Sequence, residues 1–376
     1  MNRLLTVYDD KEPLNNVISE LSLDVDEVFY VYHHEVPRTS FNNIAKVIKN
    51  HKDIELYFVQ LEDDEKQLNE LIDENTIIDV GGAKYLSLLL FELCSRKENR
   101  IIYYDSEENC IKDYRTHKIL DVETVSLNIE DVLQLRGGEI ISQLHHNVTE
   151  KENKDIVIGM VESNLHDYSA FIKYMTLVNN KMSDNNYLGN NEYAISRKDH
   201  DELERENHFN NIDEIFELKE DRICFKNRKI REIVTVSGTF LENYLYIKLN
   251  DLNYFDDIRM SVIIDFADEK YSHPVRCEID CLIIKDNQLL FTSCKSSKAS
   301  TDDLNEIYVH NKMFGNCRSK AVIFVGEELD RKYPSIYAKG IELGIYIVDR
   351  SAFIKDSVAE EFVNIAEGSY RYDEII

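Results

Sequence analysis

An acidic residue, a serine and a lysine lie in one stretch of the chain, residues 276–298, in a pattern typical of a β-hairpin. Polar and apolar residues alternate at its start, and this period of two predicts a strand. Asp286-Asn287 predicts a two-residue turn after that strand, because both residue types tolerate positive φ angles. We therefore expect one face of the strand to present the set Arg276, Glu278, Asp280, Leu282 and Ile284.

The predicted turn determines which side chains oppose one another across the hairpin. Asp280 then faces Ser293, and Glu278 faces Lys295, with about 5 Å between directly opposed side chains. Four polar groups thus gather at one end of the hairpin, as a hydrolytic nuclease requires. The same residues also fit a plain surface hairpin in which Glu278 and Lys295 form a cross-strand ion pair.

Metal-dependent phosphodiester cleavage is the chemistry that this cluster predicts. Carboxylates bind Mg²⁺ or Mn²⁺, which prefer oxygen ligands. Such an ion polarises the phosphate and lowers the pKa of an attacking water, and a lysine beside it orients that water or neutralises the developing charge. A second acid is expected near the start of an apolar-periodic helix that follows residues 237–238. The predicted set has two metal ligands, Glu242 and Asp280, and three further catalytic members, Lys295, Ser293 and Glu278.

The order of these residues resembles the PD-(D/E)xK restriction-endonuclease fold. A glutamate on a helix precedes an aspartate on one strand, a lysine on the next strand and a further helix from Asp303 to Met313. The similarity covers roughly residues 222–350, and it implies a metal-dependent nuclease. In that family the position two before the lysine is usually Asp or Glu, whereas this chain has Ser293.

The composition is that of a globular protein with unevenly distributed charge. The 376 residues are 43% hydrophobic, and this length is sufficient for two domains. The net charge of −27 argues against a general nucleic-acid coat, but residues 1–220 carry −22 and residues 221–376 only −5. The second half is therefore better able to approach a polyanion. It opens with basic residues that fit either phosphate contacts or a solvated charged segment: Arg222, Lys226, Arg228, Lys229 and Arg231.

The cysteines and the apolar segments indicate where the protein works. The seven cysteines are scattered and include no C-x-x-C, which is typical of the reducing cytoplasm. The chain start does not have the pattern of a signal peptide, and no run of 18 apolar residues is present. We therefore expect a cytoplasmic protein without membrane association.

Strand-like and helix-like segments alternate through the first hundred residues. The predicted strands cover residues 4–9, 28–32, 54–61, 77–80 and 100–104, and helices are predicted between them. This alternation predicts a parallel sheet with helices on both faces, a Rossmann-like α/β fold. Ligands of such sheets bind at the carboxyl ends of the strands.

The loop 79–84, Asp-Val-Gly-Gly-Ala-Lys, leaves one of these strands and opens a helix. Its glycines allow a phosphate or ribose to approach the backbone, and a helix N-terminus favours an anion. The spacings of a Walker loop and of a dinucleotide fingerprint are absent, and tight turn geometry is another explanation for the glycine pair. The loop resembles the N-x-T-G-G-T-K motif of CRISPR-associated Rossmann-fold (CARF) domains, with Asp79 in place of Asn and Ala83 in place of Thr.

The CARF resemblance covers roughly residues 1–140. CARF domains bind cyclic oligoadenylates at a two-fold dimer interface, so the resemblance implies a ligand site made by the loops after the first and second strands and by the Gly-Gly loop. The residues at those positions are Tyr8, Asp9, Asp10, Arg38, Thr39, Ser40, Gly81, Gly82, Ala83 and Lys84.

Together the two resemblances predict a CARF-like sensor at residues 1–140, a linker with helical segments at 141–220 and a PD-(D/E)xK-like nuclease at 221–376. This layout resembles the Can/Card-type ancillary nucleases of type III CRISPR immunity. It implies a homodimer in which a cyclic oligoadenylate, such as cyclic tetra-adenylate, activates cleavage of RNA, DNA or both with Mn²⁺ or Mg²⁺. Two other hypotheses stay open: a catalytically inactive, ligand-controlled nucleic-acid-binding regulator, and a first domain that degrades its own ligand.

Overall fold

The computed structural model of the protein describes residues 2–62, 64–81, 84–95, 97–143, 151–235, 239–266 and 275–372. No helix within these ranges is both long enough and apolar enough to cross a lipid bilayer. All seven cysteines are free thiols.

The N-terminal part forms a six-stranded sheet with helices between its strands. The strands are β1 (Arg3–Val7), β2 (Glu27–Tyr32), β3 (Glu55–Gln60), β4 (Thr76–Asp79), β5 (Ile101–Asp105) and β6 (Cys110–Asp113). The helices are α1 (Pro13–Ser22), α2 (Arg38–His51), α3 (Asp64–Leu71) and α4 (Lys84–Ser95). The strand order is β3-β2-β1-β4-β5-β6, and the neighbouring pairs are parallel except β5 with β6.

Local sequence signals explain these elements. Helix α1 starts at Pro13, whose missing amide hydrogen is harmless in a first turn. Apolar residues at helical spacing, including Leu14, Val17, Ile18 and Leu21, bury one stripe of α1 against the sheet. The strand order reverses between β1 and β4, so the loops that follow these two strands meet at one crevice. The predicted α/β class is confirmed, and the predicted ligand loops lie at this end of the sheet.

The middle of the chain is folded into the same body as the C-terminal part. It contains α5 (Ile129–Leu135), β7 (Gly138–Gln143), α6 (Lys151–Ser163), α7 (Tyr168–Asn180) and α8 (Arg197–Glu206). A small antiparallel sheet has the order β10-β11-β9-β8 and consists of β8 (Tyr187–Gly189), β9 (Glu192–Ala194), β10 (Phe216–Lys219) and β11 (Arg222–Phe225). Phe171 and Tyr174 share a hydrophobic core with Tyr244 and Phe324. Residues 141–220, expected to be a linker with helical segments, therefore contribute to a packed core.

The C-terminal part forms a second six-stranded sheet, with the order β16-β15-β14-β13-β12-β7. Its further strands are β12 (Asp257–Phe266), β13 (Val275–Lys285), β14 (Gln288–Lys295), β15 (Lys320–Val325) and β16 (Tyr346–Val348). The helices of this part are α9 (Arg228–Thr235), α10 (Thr239–Asn250), α11 (Thr301–Phe314), α12 (Leu329–Lys332), α13 (Pro334–Glu342), α14 (Arg350–Ile354) and α15 (Val358–Glu367). The predicted helix after the lysine strand is present as α11.

Helices cover both faces of this second sheet, and each face has its own core. On the α10 face, defined by Cys281, Ile283, Leu290 and Phe324, the sheet packs against α6, α7, α10 and α15. On the α11 face, defined by Leu282, Ile284, Phe291 and Ile323, it packs against α5, α11 and α13. The core of the α11 face is continuous with that of the N-terminal sheet. Burial on both faces is typical of an α/β sheet that contains parallel strands.

The tip of the β13–β14 hairpin contacts the N-terminal part directly. Asp286 and Asn287 have φ angles of 48° and 63°, so the predicted two-residue turn is confirmed. The Asn287 amide accepts a hydrogen bond from the Leu127 backbone nitrogen and donates one to the Val125 carbonyl, both at 2.8 Å. Asn287 is 2% exposed, so these bonds are made in a dry contact between the two parts.

Candidate functional site

The hairpin has the predicted register. Lys285 pairs with Gln288, and the pairing continues to Cys281 opposite Thr292. Beyond this point the Asp280 carboxylate of β13 makes the contact with β14. Its Oδ2 accepts hydrogen bonds from Ser293 Oγ at 3.2 Å and from the Cys294 backbone nitrogen at 2.7 Å. The serine at the predicted metal-ligand position therefore donates to the aspartate.

The predicted face of β13 is wrong, because the alternation of side chains reverses at Asp280. Ile279 packs in the α11-face core and Cys281 in the α10-face core, although a regular strand puts both on the same face. The alternation of side chains also reverses on the neighbouring strand β12, where Met260 packs in the α10-face core and Val262 in the α11-face core. The residue between these two, Ser261, has a φ of 46°, a left-handed conformation that is uncommon outside glycine. Glu278 and Leu282 therefore lie on opposite faces, and Asp280 lies at the reversal.

Glu242 reaches Asp280 from the α10 face. It lies in the first turn of α10, is 8% exposed, and its Oε2 accepts a hydrogen bond from Ser261 Oγ at 3.2 Å. Burial, together with the negative charges of Asp280 and Glu278, raises the pKa of Glu242 to about 7, although the Ser261 hydrogen bond lowers it. Burial also raises the pKa of Asp280. The two predicted metal ligands are thus close enough to repel each other when both are ionised.

Lys295 lies on the other face. Ser293 and Lys295 follow Phe291 at intervals of two and share the α11 face with it. Lys295 Nζ forms an ion pair with Asp303 Oδ1 at 3.2 Å, on the first turn of α11. The predicted Glu278–Lys295 contact is wrong, because the strand reversal sends the exposed Glu278 side chain to the α10 face. Burial alone would lower the pKa of Lys295, but Asp280 and Asp303 outweigh it, so the net pKa is raised and the ammonium form is stabilised.

Helix α11 adds three polar residues that the sequence reasoning missed. Asp303, Glu306 and His310 are spaced at i, i+3 and i+7, which places them on one stripe of the helix. Burial lowers the pKa of His310, against the opposing effect of the Glu306 and Asp280 charges. The spacing itself was a readable signal, because a helix from 303 onward was already predicted.

The donor set suits a divalent ion with oxygen ligands. Asp280 Oδ1 and Glu242 Oε1 accept no hydrogen bond from any described group, so each carboxylate keeps one free oxygen. Burial raises the pKa of both groups, and a bound cation would reverse that effect. In the ranges that the structure describes, three potential ligand atoms come within 4.8 Å of one another only on α8, at His200, Asp201 and Glu204. That set is largely exposed and lies outside the hairpin.

The predicted ligand loops of the N-terminal sheet fall into exposed and structural positions. Tyr8 is 3% exposed and packs edge-on against Phe41, with ring centroids 5.5 Å apart. The Asp9 carboxylate accepts hydrogen bonds from the Lys11 and Glu12 backbone nitrogens and so shapes the loop before α1. Arg38, Thr39 and Ser40, which were predicted to lie in the loop after the second strand, form the first turn of α2 instead. Their side chains and that of Asp10 are exposed or half-buried.

The Gly-Gly loop is anchored by a buried carboxylate. Asp79 accepts hydrogen bonds from Thr6 Oγ1 at 3.1 Å and from the Gly81 nitrogen at 2.9 Å. A Cβ at Gly81 would lie 3.1 Å from the Asp79 carboxylate, which explains a glycine at this position. Gly82 and Ala83 lie outside the described residues, and Lys84 is the first residue of α4.

The basic cluster before α10 is divided between paired and unpaired cations. Arg222 forms ion pairs with Glu192 and Asp221, and Arg228 forms one with Glu232. Three other cations make no ion pair within the described residues: Lys226, Lys229 and Arg231. Arg231 lies over the half-exposed Tyr187 ring, 5.4 Å from its centroid. Two of these cations, Lys229 and Arg231, thus lie on α9, the helix before the one that carries Glu242, and the Tyr187 ring of β8 lies beside them.

Comparison with known proteins agrees with this architecture. Residues 230–331 match the family described as Card1-like, endonuclease domain. The fold is similar over nearly the whole chain to two solved structures. Protein VC1899 from Vibrio cholerae has 14% identity and a TM-score of 0.77, with 98% of this chain and 99% of that one covered. Can2 from Sulfobacillus thermosulfidooxidans, solved with cyclic tetra-adenylate, has 14% identity and a TM-score of 0.71, with 97% and 99% covered. No curated protein matches the chain in sequence.

Proposed function

We propose that this protein is a cyclic-oligoadenylate-activated, divalent-metal-dependent nuclease that cleaves RNA, DNA or both. One observation carries the proposal: the segment that matches the Card1-like endonuclease domain contains Asp280, Lys295 and Glu242, which lie near one another at the reversal of β13. We assign residues 1–140 to a CARF-like sensor and residues 221–376 to the nuclease. Residues 141–220 then join the nuclease core.

Asp280 and Glu242 are the residues that would hold a Mn²⁺ or Mg²⁺ ion. When bound, such an ion polarises the scissile phosphate and lowers the pKa of the attacking water. Ser293 Oγ and the Cys294 backbone nitrogen both donate to Asp280 Oδ2, which fixes the carboxylate and leaves Oδ1 for a ligand. These donors orient Asp280 without adding to its negative charge.

Lys295 has a different role from a general base. Its neighbouring carboxylates raise its pKa, so it stays protonated near neutral pH and cannot accept a proton there. An ammonium group held by Asp303 stabilises negative charge that develops on the phosphate. Arg231 and Lys229, on the helix before α10, supply cations that attract the phosphate backbone of the substrate.

The activator assignment rests on the N-terminal sheet. Its crevice, where the β1 and β4 loops meet, is the expected ligand position of such a fold, and the Can2 structure of the same fold contains cyclic tetra-adenylate. A cyclic oligoadenylate has rotational symmetry, which suits a two-fold interface that presents the same loops from both subunits. We therefore propose a homodimer with one activator shared between two sensor domains.

A cleavage assay tests the proposal. Labelled RNA and DNA, single- and double-stranded, are incubated with Mn²⁺ or Mg²⁺, with and without each cyclic oligoadenylate. We expect cleavage that depends on both metal and activator, and a loss of at least about 100-fold in Asp280→Asn. Asp302→Asn, on the exposed side of α11, is the matched control and should keep full activity. Absence of cleavage under every condition would refute a nuclease, and binding without cleavage would support the inactive regulator instead.

A further inference from the structure

The lysine side of the hairpin has its own acidic residues, and they come from α11. Ser293 and Lys295 lie on the α11 face, whereas Glu278 lies on the α10 face. Asp280, at the reversal between the faces, contacts Ser293 directly. Any ligand held between Asp280 and Lys295 is therefore approached by α11 rather than by Glu278.

Of the two α11 acids on this stripe, one is already engaged. Asp303 forms an ion pair with Lys295. It also accepts hydrogen bonds from the backbone nitrogen and the hydroxyl of Ser300 in a capping box. Glu306, one turn further along, is exposed and makes no ion pair or side-chain hydrogen bond within the described residues. It is the free carboxylate on this side of the sheet.

Three neighbours place Glu306 at the reversal of the strand. Burial raises the pKa of Cys277, which packs in the α11-face core, and the Glu306 charge raises it further. This charge also acts on the pKa of Asp280 and of Lys295. Glu306 follows Asp303 by three residues on the helix, so the Asp303–Lys295 contact directs the same stripe toward the hairpin.

His310 provides an independent sign of a ligand at this position. It is 9% exposed and makes no side-chain hydrogen bond within the described residues, although a buried imidazole normally has a partner. Residues at i and i+4 meet on a helix surface, so His310 is adjacent to Glu306. An ion or its bound water would satisfy this buried polar group.

We propose that Glu306 is a further direct ligand of the divalent ion that Asp280 and Glu242 hold, and that it reaches the ion from the α11 face, beside Lys295. This rests on the proposed nuclease function. Three carboxylates with a lysine at their edge form an oxygen-rich site of the kind that Mn²⁺ and Mg²⁺ occupy. Glu306 thus supplies the metal-ligating oxygen that a carboxylate at position 293 would supply.

Mn²⁺ binding to the full-length protein, measured by isothermal titration calorimetry without nucleic acid, tests the assignment. Glu306→Gln should weaken the affinity at least about tenfold, because removing even an indirect partner of a metal ligand costs that much. A matched carboxylate variant on the same helix, Asp302→Asn, should bind as the wild type does. Since Glu306 is exposed, the thermal unfolding midpoint of Glu306→Gln should stay that of the wild type.

A relocated carboxylate separates a metal ligand from a structural role. The double variant Ser293→Glu with Glu306→Gln should recover Mn²⁺ affinity to within a few fold of the wild type, because it returns an oxygen ligand to the same face. Wild-type affinity in Glu306→Gln, with Asp280→Asn still defective, would overturn the assignment and leave the nuclease proposal intact. Wild-type affinity in both variants would overturn the metal site altogether.

Discussion

Replacing Asn287 tests whether the tip of the catalytic hairpin stabilises the contact between the two parts of the protein. In Asn287→Gly the Leu127 backbone nitrogen loses its hydrogen-bond acceptor in a buried position. The Val125 carbonyl loses the hydrogen bond that the Asn287 side chain donates to it. A buried donor left without a partner costs about 1–3 kcal/mol, and the added chain freedom of glycine costs about 0.5–1 kcal/mol. We therefore expect the free energy of unfolding to fall by about 1.5–4 kcal/mol.

A second substitution separates the side chain from the backbone conformation. Asn287→Ala loses the same hydrogen bonds and must also hold a φ of 63°, which costs an L-residue about 1–2 kcal/mol. It avoids the entropy cost of glycine, so it should be less stable than Asn287→Gly by at most about 1 kcal/mol. Urea unfolding at fixed protein concentration measures both values.

The adjacent turn residue supplies the control. Asp286 has a φ of 48°, and its side chain is half-exposed and makes only a surface ion pair, with Lys285. Asp286→Gly therefore carries the same chain-freedom cost as Asn287→Gly but loses no buried hydrogen bond, so it should lower the free energy of unfolding by at most about 1 kcal/mol. Equal effects of Asp286→Gly and Asn287→Gly would show that the hydrogen bonds to Val125 and Leu127 contribute nothing measurable.

Three further predictions concern pH, packing and substrate binding. Burial raises the pKa of Glu20 from 4.5 to about 8, so between these pH values the folded protein keeps a proton that the unfolded chain releases. The free energy of unfolding therefore falls as pH rises through this range, by up to about 1.4 kcal/mol per pH unit. Glu20→Gln should remove that part of the slope in urea unfolding between pH 5 and 8, and parallel curves would contradict it. A Cβ at Gly326 would lie 2.5 Å from a tyrosine ring, whereas Gly159, in a helix, faces open space. Gly326→Ala should therefore lower the unfolding free energy by about 1–3 kcal/mol and Gly159→Ala raise it by up to about 1 kcal/mol. In a cleavage-inactive background, Lys229→Gln and Arg231→Gln should each reduce the salt dependence of nucleic-acid binding by about one unit of log-log slope, and unchanged slopes would exclude phosphate contacts there.

The N-terminal sheet was predictable because its signals are local. The segment 28–32 was predicted as a strand and is found as Glu27–Tyr32, and the helix predicted between the first two strands is found as Pro13–Ser22. Buried parallel strands and helices with one apolar stripe show their periods in the sequence itself. The same holds for the Asp286-Asn287 turn, whose residue types suit positive φ angles.

The middle of the chain was less predictable because its elements are short. Strands of three or four residues, such as Tyr187–Gly189 and Glu192–Ala194, do not show a period of two. Their stability comes from the core that Phe216 and Phe225 share with Tyr244. That contact is distant in sequence, so composition alone indicated a linker there.

The candidate site was predicted in part because face assignments assume regular strands. Asp280, Ser293 and their contact followed from the register, and the turn secured that register. The reversal depends on Ser261, and nothing in a serine at that position indicates a left-handed backbone. The acidic residues of α11 were therefore assigned no role, and Glu278 was placed on the wrong face.

The reversal at Ser261 explains why one aspartate can serve helices on both sides of a sheet. A regular strand presents each side chain to one face, so Asp280 would meet either Glu242 from α10 or the acids of α11. A non-glycine residue at a positive φ costs about 1–3 kcal/mol and persists only where the surroundings hold it. Here the Ser261 hydroxyl donates to Glu242, which couples the strained residue to the site. The left-handed conformation of Ser261 places Asp280 at the point of β13 from which it is near both Glu242 on the α10 face and Lys295 on the α11 face. This is the position at which we expect the metal ion and the phosphate to be bound.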